Sequence, residues 1–175
     1  MKKVLVFAIA ILGFSSVSFG QNGNTAANAN ASATIILPIS LVKGNDMRFG
    51  TLAPSGVAGT VLLSTAGART ATNVQLQVAG GVAFGAGDFT ATGQPSATYA
   101  ITLPTTITVN SASNNMTIGT LLAKSASGTE SHTATGTLGA SGGTEVFTVG
   151  GTLAVGATQA VGSYTGTYSV TVNYN

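Results

Sequence analysis

The chain has 175 residues, of which 44% are hydrophobic and only 6% charged, and it contains no Cys. Its six cations are too few and too scattered to displace counterions from a phosphate backbone, which excludes nucleic-acid binding. Without Cys no disulfide forms and no lipid attaches through a thiol, so stability rests on packing and backbone hydrogen bonds.

The first twenty residues read as a secretory signal. Lys2 and Lys3 are a short basic region, "VLVFAIAILGF" (4–14) is an apolar run too short to span a bilayer, and "SSVSFG" supplies small residues before a cleavage placed after Gly20. No other apolar run approaches spanning length, so no membrane span is expected after cleavage. Cleavage also removes two cations. Lys43, Arg48, Arg69 and Lys124 then face Asp46, Asp88, Glu130 and Glu145, four against four, and the mature net charge is zero. A near-neutral surface lacks the repulsion that keeps copies apart, so self-association is expected.

Residues 21–33 form an N-terminal extension ahead of a single domain at 34–175. In "AANANASATIILPISL" the odd positions are all apolar: Ala27, Ala29, Ala31, Ala33, Ile35, Leu37, Ile39 and Leu41. That alternation predicts an extended strand about three times the modal length, interrupted at Pro38, which cannot donate to a ladder. Its front half buries little, because Ala has little surface to bury. Its back half carries four large aliphatics, each contributing roughly 1.5–3 kcal/mol when buried.

Beyond it, short alternating runs recur between turn signals. They include "GTVLLST", "NVQLQVAG", "GDFTATG", "ATYAITLP", "NMTIGTLLA" and "EVFTVGGTLAVG". None shows apolar residues at helical spacing. Many short strands at close spacing predict an all-β antiparallel sandwich. Thr-x-Thr pairs occur at irregular intervals, which argues against a β-solenoid, since a solenoid needs a fixed repeat.

The final run, "YTGTYSVTVNYN", is the cleanest period-two stretch. Tyr164, Gly166, Tyr168, Val170, Val172 and Tyr174 share one face, and Thr, Ser and Asn the other. The apolar face is fit to bury against a second sheet, and Gly166 either leaves a gap for a neighbour's side chain or marks sheet curvature.

No catalytic, metal or cofactor constellation stands out. His132 is the only histidine, and Glu130 two residues away gives at most two ligands. Asp46, Asp88 and Glu145 are isolated, "AKS" (123–125) lacks the context of a phosphate loop, and "NMT" (115–117) is a bare sequon. The chain is expected not to be an enzyme and to need no cofactor.

"FGTLAPSG" (49–56), "GQPSATYAITLP" (93–104), Met116, "FTVGGTLAV" (147–155) and "GSYTGTYSVTVNYN" (162–175) occur in that order. Together they resemble the bacterial family catalogued as domain of unknown function 4402. That family is similar to the spore-coat-U and archaic chaperone–usher pilin subunits. The resemblance implies a single immunoglobulin-like, pilin-like sandwich, secreted and placed in the periplasm or on the extracellular surface of a bacterium. It implies partners too: other surface subunits, a periplasmic chaperone and an outer-membrane usher. Residues 21–33 would then be a flexible or donor-strand-like extension. Strand exchange would involve Ala27, Ala29, Ala31, Ala33, Ile35 and Leu37 on one side, with Tyr164, Gly166, Tyr168, Val170, Val172 and Tyr174 on the other. The alternative is a self-complete monomeric sandwich acting as an adhesin or carbohydrate-binding module, for which Tyr99 is the one tyrosine outside the terminal run.

Overall fold

The computed structural model describes residues 25–77 and 80–175. The signal sequence, its cleavage point, residues 21–24 and Val78 lie outside the described residues. Residues 25–34 belong to a first unit, and a second unit runs from Ile35 to Asn175.

Every described residue of the first unit is exposed, and none is in a strand. The long strand expected across 27–41 therefore does not form as one piece: only its end, from Ser40, joins a ladder. Alanines have too little apolar surface to offset the entropy of ordering them alone. Pro38 breaks the donor row just before the ladder begins.

The second unit contains twelve strands and, among the described residues, no helix. In chain order the first six are β1 (Ser40–Lys43), β2 (Leu52–Pro54), β3 (Gly59–Leu63), β4 (Arg69–Thr72), β5 (Val74–Leu76) and β6 (Gly87–Thr92). There follow β7 (Thr98–Thr102), β8 (Ile107–Ser111), β9 (Asn114–Ser125), β10 (Thr135–Thr137), β11 (Thr144–Val155) and β12 (Thr171–Tyr174). All the pairings are antiparallel, as alternating apolar and hydroxyl-bearing residues favour.

The larger sheet is built on β11. One edge of β11 pairs with β9, which pairs in turn with β8. The other edge is shared: residues 144–149 pair with β6 and residues 151–155 with β3. Outside these lie β1, beyond β6, and β4, beyond β3. The second sheet has β7 between β10 and β12, and β2 with β5 makes a short separate ribbon.

The core lies between the two sheets. Tyr99 and Ile101 of β7 meet Val61, Leu63, Phe89, Ala91, Leu121, Phe147 and Val149 of the larger sheet. Phe89 stacks on Phe147 at 5.4 Å between ring centroids. The point where β11 changes partner explains "FTVGGTLAV". A Cβ at Gly150 would overlap the Leu63 carbonyl oxygen and stand 2.8 Å from the Ser64 carbonyl carbon. Opposite it, the β9 register shifts between Gly150 and Thr152 of β11. Thr120 takes a left-handed φ of 47°, and the buried face of β9 passes from Ile118 to Leu121.

Candidate functional site: an open seam between two edge strands

The terminal run meets the two sheets in two different ways. Thr165 bridges Asn110 of β8, and a Cβ at Gly166 would overlap the Thr108 carbonyl oxygen. Close approach of a backbone, not an open gap, accounts for that glycine. Only residues 171–174 form a ladder, with β7, because β7 itself is five residues long. The uninterrupted strand read over 164–175 is thus a bridge, a bare extended stretch and a short edge strand.

No strand pairs the outer edge of β12 among the described residues, and none pairs the outer edge of β1. Antiparallel ladders alternate, so each residue points its backbone groups to one side only. The Asn175 amide donates to the Thr98 oxygen at 3.2 Å, which sets Asn173 and Thr171 toward β7 and leaves Val172 and Tyr174 facing outward. The Gly44 amide donates to the Asp88 oxygen at 2.8 Å, which likewise leaves Leu41 and Lys43 facing outward. The two free edges lie near one another, one in each sheet.

Between them runs a strip of half-buried apolar side chains packed on the core: Ile39, Leu41, Met47, Tyr168, Val170, Val172 and Tyr174. None reaches the burial of Val61, Leu121 or Val149, all at 0% exposure. The face expected to be buried is therefore only half covered. The strip's two ends are closed by tyrosines lying over glycines of or beside β6. A Cβ at Gly87 would come within 2.7 Å of the Tyr168 hydroxyl, and one at Gly93 would overlap the Tyr174 hydroxyl. Tyr168 also meets Phe89 edge-on at 6.2 Å. Burial, with Asp46 as the smaller cause, pushes the Tyr168 phenol up to about 12. Asp46 is itself held below its usual range by the hydrogen bond and charge of Lys43, at 2.6 Å.

The Tyr174 end is pinned. Its hydroxyl accepts from the Gln94 amide at 2.6 Å and donates to the Leu37 carbonyl at 2.8 Å. The Leu37 amide in turn donates to Gln94 Oε1 at 3.4 Å. Both backbone groups of Leu37 are thereby tied to this end of the seam, while Ile35 is 97% exposed.

Of the residues singled out in the sequence, Tyr168, Val170, Val172 and Tyr174 come together in the seam. Tyr164 lies elsewhere, its hydroxyl bonded to Gln159 and the Ala160 carbonyl. Ala27, Ala29, Ala31, Ala33, Ile35 and Leu37 are exposed. Missed in the sequence were Met47, Gln94 and the two glycines. The equal six-residue spacing of Gly87–Gly93 and Tyr168–Tyr174 is the signal that points to them.

The isolated polar residues also find places. Tyr99 is fully buried, and its hydroxyl donates to Glu145 at 2.8 Å, so it offers no ring for a sugar. Burial and the Glu145 carboxylate hold its phenol well above the usual range. Glu145 accepts a second bond from the Ser127 amide and joins the sheets through a polar contact. Its place in phase with Phe147 and Val149 marks it as inward-facing. Glu130 accepts from Thr65, and His132 bonds the Leu121 carbonyl, so the two serve separate structural contacts. Among the described residues no three metal-ligating side chains gather.

The sequence profile of a family described as "Domain of unknown function (DUF4402)" matches residues 39–174. The chain belongs to this family. No curated protein and no solved structure matches the chain significantly. The matched stretch spans the whole seam, from Ile39 to Tyr174, and leaves the alanine-rich extension outside it.

Proposed function

We propose that this DUF4402 chain is a secreted, non-catalytic structural subunit of a bacterial surface assembly, joined to its neighbours by strand complementation. The observation that carries the reading is the seam. Two free edges flank a half-covered apolar strip, and a sandwich with that strip uncovered lacks one strand's worth of cover. A strand laid there would satisfy the outward backbone groups of Leu41, Lys43, Val172 and Tyr174, at about 0.5–1.5 kcal/mol net per hydrogen bond. The occupant on offer is the extension of another copy, which is extended in pattern and two-faced. The likeness to spore-coat-U and archaic chaperone–usher pilin subunits supports the same reading. It brings with it a periplasmic chaperone to cover the seam before assembly and an outer-membrane usher to release it.

Removal of residues 21–33 from the mature chain tests this. Light scattering should show multimers collapsing to monomer, and the isolated domain should unfold at lower denaturant or require a chaperone. A truncated protein that folds and assembles as the intact one does would refute strand complementation.

A further inference from the structure

The extension is odd for a strand that must hold copies together, because its apolar face is all alanine. The seam explains the choice. At both ends the depth is already filled, by Tyr168 over Gly87 and by Tyr174 over Gly93. Between them Val170, Val172, Ile39 and Leu41 are already half-buried. What remains to be covered is shallow, and methyl groups suffice. Length agrees as well. Tyr168 to Tyr174 spans six residues, as Ala27 to Ala33 does, about 20 Å when extended. Each span holds four positions of one face. The opposite face of the extension, Asn28, Asn30, Ser32 and Thr34, is polar and suits the solvent side of an edge strand.

Direction follows from the pinned end. The acceptor's own Leu37 is tied beside Tyr174, so its own chain occupies that end of the seam. A donor's domain must then lie at the Tyr168 end, which makes the inserted strand antiparallel to β12.

Resting on the strand-complementation reading, we propose that the seam selects a methyl-sized strand, residues 27–33 of a second copy of this chain. That strand lies antiparallel to β12, with Ala27 opposite Tyr174, Ala29 opposite Val172, Ala31 opposite Val170 and Ala33 opposite Tyr168. Specificity here comes from smallness: a bulky donor residue strikes side chains that already fill the space. Head-to-tail insertion of this kind does not close, so chains of copies result.

The natural absence of Cys makes the register readable by cross-linking. Full-length mature protein carrying Ala29→Cys and Val172→Cys, oxidised after assembly, should give a ladder of covalent dimers, trimers and higher species on a non-reducing gel. The pair Ala29→Cys and Val170→Cys, matched only in a parallel strand, should not. A ladder from the second pair overturns the direction. A fast-migrating monomer from the first pair means that the extension enters its own domain, and overturns the partner. No cross-link from either pair overturns the register. The size argument is tested by Ala31→Leu and Ala31→Ser, neither of which touches the folded unit. The Leu variant should assemble at least about tenfold less at a given concentration, and the Ser variant should match the natural chain. Equal or better assembly by the Leu variant overturns the shallow seam. If removing residues 21–33 leaves assembly intact, the general reading fails. If removal abolishes assembly but the 29–172 ladder is missing, only the register fails.

Discussion

The middle of β11 and the length of β12 are written in the same alternating code, yet one is sealed and the other half open. On β11, Phe147, Val149 and Leu153 are buried because strands flank both of its edges and a second sheet faces it. On β12, Val172 and Tyr174 have the same phase and comparable bulk but one flanking strand. Periodicity specifies which face turns inward. How far that face is covered depends on a neighbour, and here the neighbour is missing. The comparison separates what a strand's own sequence decides from what the topology decides.

The largest expected effect lies in the sealed half. Gly150→Val should cost at least about 3 kcal/mol, because its side chain would strike the Leu63 carbonyl and the Ser64 backbone, which no rotamer change can move. Equilibrium denaturation should find the variant largely unfolded in buffer. A variant that melts near the natural protein would mean that the β6-to-β3 exchange is looser than the ladder pattern indicates.

A smaller effect sharpens the contrast between the two regions. Val149→Ala removes two methyl groups from a site with no exposure, and should cost about 2 kcal/mol. Val172→Ala removes the same groups from the seam, and should cost under about 1 kcal/mol in the isolated, extension-free domain. In the assembled protein the second cost should rise toward the first. If Val172→Ala is equally mild in both states, the seam stays open in the assembly.

The sandwich was legible because alternation, turn residues and the absence of helical spacing all point one way. Half of the site was legible too. Val170, Val172 and the tyrosines sit in an unbroken pattern, and Leu41 continues the phase of the alanines. The other half was not. That Gly166 yields to the Thr108 carbonyl, that Gln94 and Tyr174 together hold Leu37, and that β7 ends too soon to pair all of 164–175 are facts of three-dimensional approach. Residues far apart in the chain decide them, and no local pattern records the distance. Glu145 shows the same limit from the other side. Its phase told that it faces inward, but only the fold supplies the Tyr99 hydroxyl and Ser127 amide that make a buried carboxylate tolerable.

The subtlest effect uses Tyr168 as a reporter of the seam. Its phenol ionises near 12 in the folded unit against an ordinary value of 10, so the fold favours the neutral ring. The sign follows: this contribution to stability is complete below pH 10 and is lost as pH rises from 10 through about 12. Tyr168→Phe should remove that loss, flattening the alkaline limb of a denaturation series while leaving neutral pH nearly unchanged. Burial is the first cause of the shift, so a strand laid across the seam should deepen it. In assembled protein the tyrosinate absorbance of Tyr168 should therefore appear at higher pH than in the extension-free domain. Onset at the same pH in both would mean that nothing covers this end of the strip, however the copies are joined.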